Sequence, residues 1–282
     1  AASAPDGASY KKDFSNFNPS LTVAFDLSDD SNVYAKVVSG YKSGGTSTRS
    51  ANAELFRTGF EEEDVVSYEL GFKGDFMDNR LRLNTAVFYM DIDGLQTSLQ
   101  TGGTPGERDF LPIDGNTIKG FEAEFTAALT DAWQASFNYG YTDTELGESQ
   151  VDTPVATFFL TEDMSYVPKN SFTIALDYHR SLNNGELHGR VGYAYKDEAE
   201  TSVNVTDNIT LDDYALVDAS LSWGNVQLGS LPGTFKAVLW GKNLTDEEYA
   251  IISTAAWGFV GANDVSTFGD PRTYGLALSY DY

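Results

Sequence analysis

Along most of its length this chain alternates apolar and polar residues, and a sustained period of two leaves little besides a β-sheet with two unlike faces. In VVSYELGFKG, Val66, Tyr68, Leu70 and Phe72 share a face opposite Ser67, Glu69, Gly71 and Lys73. In LRLNTAVFYM, Leu81, Leu83, Thr85, Val87 and Tyr89 oppose Arg82, Asn84, Ala86 and Phe88. In WQASFNYGYT, Trp133, Phe137, Tyr139 and Tyr141 oppose Gln134, Ser136, Asn138 and Thr142. The closing stretch GDPRTYGLALSYDY keeps the rhythm to its last residue, with Tyr274, Leu276, Leu278, Tyr280 and Tyr282 on one face and Thr273, Gly275, Ala277, Ser279 and Asp281 on the other. Chain ends are usually polar and mobile, so an apolar final strand implies that this end is tied into a sheet whose apolar face meets something apolar.

The alternation predicts about eleven antiparallel strands, near 19–28, 31–42, 64–75, 79–92, 116–129, 132–143, 169–182, 186–197, 212–225, 233–244 and 271–282. Most run about ten residues or more, the length a tilted strand needs to cross a bilayer. Their connections alternate in kind. Short turns rich in Asn, Asp and Gly at SDDS, FMDN, LTDA and LNNG suit tight hairpins. The segments 42–63, 93–115, 143–168, 198–211 and 245–270 are long, as segments that carry function often are. Taking Asn184-Gly185 as a two-residue turn predicts that Ser181 faces His188 and His179 faces Arg190. Phe172, Ile174, Leu176 and Tyr178 then join Leu187, Val191, Tyr193 and Tyr195 on the apolar side.

A soluble β-sandwich alternates too. Three features favour a transmembrane barrel: long strands, aromatic residues toward strand ends on the apolar face, and small polar residues with scattered charges opposite. Closure removes the strand edges that a bilayer punishes. An odd number of strands does not close an antiparallel barrel of bacterial type, so eleven implies either a miscount or part of a larger barrel.

With 18 Lys+Arg against 42 Asp+Glu and a formal charge of -24, the chain lacks the basic surface that nucleic acid requires. It has no Cys, which excludes disulfide scaffolds and thiolate zinc sites. No run of about 18 apolar residues offers a membrane helix. The opening AASAPDGASYKKD lacks the charged-then-apolar pattern of a signal peptide. Neither G-x-S-x-G nor another catalytic constellation is visible, so no enzyme and no cofactor is expected.

NVYAKVVSGYKSGG, SYELGFKGDFMDNRLRLNTAVFYMDIDGLQ, IKGFEAEFTAALTDAWQASFNYGYTDTE, VPKNSFTIALDYHR, YALVDASLSW, LWGKNLTDEEY and GDPRTYGLALSYDY, in that order, resemble the C-terminal half of the barrel of TonB-dependent outer-membrane receptors. The resemblance implies an all-β, antiparallel transmembrane barrel of about twenty-two strands filled by an N-terminal plug. Residues 1–282 would be its C-terminal part, without the plug, the TonB-contacting box or the first barrel half. It implies a bacterial outer-membrane location, lipid and lipopolysaccharide as surroundings, and active import of a scarce small-molecule ligand with energy from the TonB complex acting through the missing plug. A ferric siderophore is the leading ligand, with cobalamin or an oligosaccharide as others. A passive porin or surface adhesin is the alternative, and a soluble β-sandwich binding module is a third reading. Receptors of this type end in an outer-membrane targeting strand closed by an aromatic residue, usually Phe; Tyr274, Leu276, Leu278, Tyr280 and Tyr282 fit that strand, with Tyr in the terminal place.

By the same resemblance, Glu69, Glu122 and Glu124 on the lumen face meet arginines of the plug; the plainer reading is three hydrated carboxylates. Arg49, Arg57, Arg108, Trp257 and Phe259 in the long loops are candidates for an anionic chelate and for stacking on it, against ordinary solvated loops. His179 and His188 share a face near a short turn, but with no third ligand beside them a polar lumen or rim role is expected and no metal site. DIDG at 91–94 and TDEE at 245–248 do not reproduce the spacing of a calcium loop and are read as turns. The sequons at Asn204, Asn208 and Asn243 carry no weight.

Overall fold

The computed structural model describes residues 7–102, 106–153, 156–255 and 264–282. Eleven long strands form one antiparallel sheet in which every strand lies beside its neighbour in sequence. They are β1 Ser20–Ser28, β2 Ser31–Lys42, β3 Glu63–Phe76, β4 Leu81–Asp93, β5 Asn116–Ala128 and β6 Trp133–Glu145, then β7 Asn170–Leu182, β8 Gly185–Lys196, β9 Tyr214–Val226, β10 Thr234–Lys242 and β11 Thr273–Asp281. Each expected strand is present within a few residues of its predicted bounds. The sheet is open, with β1 and β11 as its edges. Short turns lie at one end and long connections at the other, as alternation and turn chemistry required.

The apolar stripes are bare. Leu70 is 57% exposed, Val191 54%, Leu239 57%, Leu276 64% and Leu278 62%. Among the described residues no second sheet covers them, as a sandwich would require, so the sandwich reading fails on packing. The stripe ends in aromatic residues on both sides: Phe76, Trp133, Tyr178, Trp223 and Tyr280 toward the short turns, and Tyr41, Tyr89, Tyr141 and Tyr274 toward the long connections. Two aromatic belts bracketing an aliphatic band are the mark of a wall facing lipid, where the bilayer takes the place of a protein core. Among the described residues no helix is long and apolar enough to span a membrane.

The true core lies in the long connections. Leu99, Leu111, Ile113, Phe158, Leu160 and Val203, from three different connections, bury one another, with Leu99 1% exposed and Ile113 fully covered. These connections hold structure that alternation does not announce. A one-and-a-half-turn helix, α1, spans Ala53–Thr58, and Leu95–Gln100 pairs with Arg108–Ile113 as a hairpin. Smaller ribbons join Gln150–Asp152 to Thr157–Phe159 and Ala250–Thr254 to Val265–Phe268. The result is a cap with a conventional interior, seated on a wall without one.

One register differs from expectation. Leu182 pairs with Gly185, His179 with His188 and Asp177 with Arg190, so the turn residues are Asn183 and Asn184 rather than Asn184 and Gly185. Gly185 takes a φ of 109° just past the turn, a conformation that an L side chain resists. The run Asn-Asn-Gly offers two places for a tight turn. Moving it by one residue displaces the pairing by two, which leaves every side chain on its predicted face.

Candidate functional site

Three groups of polar side chains stand out, at the cap, in the middle of the concave face and beside the short turns. In the cap, the first long connection crosses the second. Ser47 Oγ donates to the Arg108 carbonyl at 2.5 Å, the Arg108 N–H donates to the Arg49 carbonyl at 3.1 Å, and Arg49 Nε donates to the Gly106 carbonyl at 2.9 Å. Arg108 itself is held by Ser98, donating from Nε to Oγ at 3.1 Å and from Nη2 to the carbonyl at 2.6 Å. Burial pushes the Arg108 guanidinium below its ordinary pKa, with Asp207 acting against this and Arg49 with it. The carboxylate of Asp207 thus already outweighs the like charge of Arg49 at Arg108. Arg57 stands apart, since its Nη1 turns back to the Ala53 carbonyl of its own helix at 3.4 Å. Trp257 and Phe259 lie outside the described residues.

On the concave face, Glu69, Glu122 and Glu124 point away from the apolar stripes, as the alternation placed them. Glu69 of β3 and Glu122 of β5 flank β4 on the same face, and Glu124 accepts from Asn84 Nδ2 at 3.1 Å. Tyr34, which sequence reasoning missed, donates its hydroxyl to Glu69 Oε1 at 2.6 Å. Its ring lies across Gly71, where a Cβ would come within 2.3 Å of ring atoms, so the glycine makes the room that lets Tyr34 reach Glu69. The signal was available, because Tyr34 is an aromatic residue on the polar parity of β2, opposite a glycine. Lys36 stands directly across from Glu69. Among the described residues no ion pair engages Glu122 or Glu124.

Beside the short turns, His179 and His188 are cross-strand partners with stacked rings, centroids 4.3 Å apart and planes 16° from parallel. The expectation that they lack a third ligand is corrected by Glu186, whose Oε2 lies 3.7 Å from His188 Nε2. Glu186 precedes His188 by two residues, so the strand period alone carries it to the same face. Arg190 and Asp177, one row up, pair with each other through Nη1 at 2.8 Å to both carboxylate oxygens.

The closing strand holds Tyr274, Leu276, Leu278 and Tyr280 on the bare apolar face, paired with Gly241, Leu239, Ala237 and Phe235, and Tyr282 follows its end.

Comparison with known proteins agrees with this geometry. Residues 2–244 match the family described as TonB dependent receptor-like, beta-barrel. The ferric-pyoverdine 358 receptor of Pseudomonas putida is 22% identical over 277 residues, covering 94% of this chain and 29% of the receptor. The ferric-pyoverdine M114 receptor PbuA of Pseudomonas sp. strain M114 is 26% identical over 271 residues, covering 94% of this chain and 29% of its own length. Among solved structures, the ferric yersiniabactin uptake receptor FyuA from Yersinia pestis superposes with a TM-score of 0.72 at 22% identity, over 93% of this chain and 37% of that one. At such identities the structural likeness speaks for the fold. The chain spans about a third of the length of the relatives it matches. With the eleven-stranded open wall, its lipid-facing stripes and the family match over most of its length, this chain belongs to the TonB-dependent receptor-like β-barrels of the bacterial outer membrane.

Proposed function

We propose that this chain is part of the wall and outer mouth of a receptor that imports a ferric siderophore. The observation that carries the proposal is the meeting of Arg49 and Arg108 in the cap, where two long connections cross above a lipid-facing wall. Ferric chelates of this kind present anionic oxygens, and guanidinium groups held by backbone carbonyls are positioned to receive them without a large ordering cost. Relatives named as ferric-pyoverdine receptors support the choice of ligand class. Phe110, whose ring sits 5.1 Å from that of Phe60, adds an aromatic surface beside Arg108.

In this reading the ligand binds among the outer connections, and TonB, energised from the inner membrane, acts on a plug that the barrel surrounds. Glu69, Glu122 and Glu124 receive arginines of that plug, with Tyr34 fixing the Glu69 carboxylate. The closing strand through Tyr282 serves as the outer-membrane targeting strand.

The test is iron uptake from ferric pyoverdine by cells whose native receptor gene, the full-length reading frame carrying this segment, is deleted and then restored. Uptake that returns only with the gene and only in cells with functional TonB supports the proposal. Arg108→Ala should weaken ferric-ligand binding roughly ten- to hundredfold, the size of a lost charge-assisted contact. Steady ion conductance of the purified full-length protein in planar bilayers, with no ferric-ligand binding, would instead favour a passive porin.

A further inference from the structure

The histidine pair beside the short turn brings two imidazoles and a carboxylate together. A strand residue directs its N–H and its carbonyl to the same side, and the His179 N–H donates to the Ala132 carbonyl of the segment entering β6 at 2.8 Å. The His179–His188 pair therefore sits at a non-hydrogen-bonded position of the β7–β8 ladder, where facing Cβ atoms come closest. Both rings project from that position to the concave face, and Glu186 projects beside them. One ligand atom from each of His179, Glu186 and His188 lies within 4.8 Å of the others. A tetrahedral zinc site with Zn–N of about 2.0–2.1 Å places its nitrogens about 3.4 Å apart, and because imidazole lone pairs lie in the ring plane, one of the two stacked rings turns out of the stack to direct its nitrogen at the ion.

The surroundings hold the carboxylate and the turn in place. Asn225 donates from Nδ2 to Glu186 Oε2 at 2.9 Å, and Asn225 stands at the irregularity between Trp223 and Val226 with a φ of 54°, a conformation that aims its side chain back over β8. The turn is pinned from β9 as well, since Trp223 Nε1 donates to the Asn184 carbonyl at 3.1 Å and the Gln227 N–H to Asn184 Oδ1 at 3.1 Å. A carboxylate oriented by a neighbouring amide thus stands beside two imidazoles whose backbones face each other across the ladder. Arg190, the nearest cation along β8, is engaged by Asp177. His179 and His188 line a groove of about 490 Å³, together with Gln134, Asp177, Arg190 and Ser222.

We infer that His179, His188 and Glu186 form a binding site for one divalent first-row transition metal ion, with zinc the best fit to two imidazoles and a carboxylate. The site clips β7 to β8 at the short-turn rim, leaving at least one coordination position open to water or to a donor from elsewhere in the receptor. It rests on the barrel wall and is independent of which ligand the receptor imports.

The test uses the full-length receptor in detergent, stripped of metal by chelator and titrated with Zn(II). His179 and His188 are the only histidines of this chain, so their carbethoxylation by diethyl pyrocarbonate is read peptide by peptide in the unmutated protein. Saturating Zn(II) is expected to slow modification of both by about tenfold or more, and His179→Gln is expected to lose one equivalent of bound zinc relative to wild type. Asn225→Ala, which keeps all three ligands, should weaken that equivalent about ten- to hundredfold, as loss of a partner that orients a ligand does. Equal modification rates with and without Zn(II) would overturn the site whatever the variants do.

Discussion

The wall and the cap of this molecule solve the problem of apolar side chains in opposite ways. In the wall, Leu239 and Leu276 stand opposite each other with more than half of their surface exposed, and in the cap Leu99 and Ile113 are almost completely covered. The wall is complete only with lipid around it, whereas the cap is a small interior built from connections that the strands bring together. One environment rewards strict periodicity; the other rewards contacts between residues far apart in sequence.

Truncations separate the two most sharply. Leu99→Ala should cost the cap about 2–5 kcal/mol, since its neighbours cannot collapse onto the cavity. Faster amide exchange confined to the hairpin Leu95–Gln100 with Arg108–Ile113 and its neighbours, with the wall unchanged, is the expected readout. The same truncation at Leu239 leaves no cavity, because lipid fills the space, and should cost markedly less. Equal losses at the two leucines would break the comparison.

A charge probes the wall from the other side. Leu70→Arg, in the middle of β3, should destabilise the barrel by about 2–4 kcal/mol, the penalty for a cation near the bilayer midplane. Ser67→Arg, on the opposite face of the same strand, should leave heat-modifiable gel mobility close to wild type. A smaller effect is expected at Gly71→Val. The added side chain displaces the Tyr34 ring from the strand surface, costing about 1–3 kcal/mol as overpacking does. It also breaks the contact to Glu69, visible as a changed Tyr34 environment in ultraviolet difference spectra.

The mildest test is one of pH, where wall and cap join. Burial works to raise the Asp197 pKa, but the side chain of Asn170, the Tyr195 hydroxyl and the Asn170 backbone N–H outweigh it and hold the carboxyl below its ordinary value. A depressed folded pKa contributes stability that is complete above the unfolded value of about 3.9 and is lost as pH falls through the folded one. Thermal unfolding of the full-length receptor should therefore show an acid-side loss between those two values that is reduced in Asp197→Asn.

The same contrast explains what was legible beforehand. Every wall strand could be read from residues such as Val66, Tyr68, Leu70 and Phe72, because lipid on one side and water on the other impose a rule on each residue separately. The placement of Glu69, Glu122 and Glu124 followed from parity. Parity also survived the misplaced turn at Asn183-Asn184, since a shift of two cannot change a face. The cap obeys no such rule. The meeting of Arg49 with Arg108 depends on a crossing of two connections, and no local pattern in either connection encodes it. Helix α1 did leave a trace: Asn52 Oδ1 accepts the N–H groups of Glu54 and Leu55, and Gly59 takes a φ of 65° past the last turn, a cap at each end. Six residues are too few for a helical period to show in the sequence. Glu186 was legible by the same parity, since it precedes His188 by two residues on one strand and so shares its face.

The central claim is that the apolar stripe faces lipid along the whole wall. It is tested most directly by spin labels placed one at a time from Val66 to Lys73 in the full-length receptor, reconstituted in lipid, with collision rates measured for oxygen and for a water-soluble nickel chelate. The chain has no cysteine, so each label is unique within this segment. Oxygen accessibility that peaks at Val66, Tyr68, Leu70 and Phe72 and falls at the residues between them is the predicted result. A profile without that alternation, or one that peaks at Ser67, Glu69, Gly71 and Lys73, would contradict it.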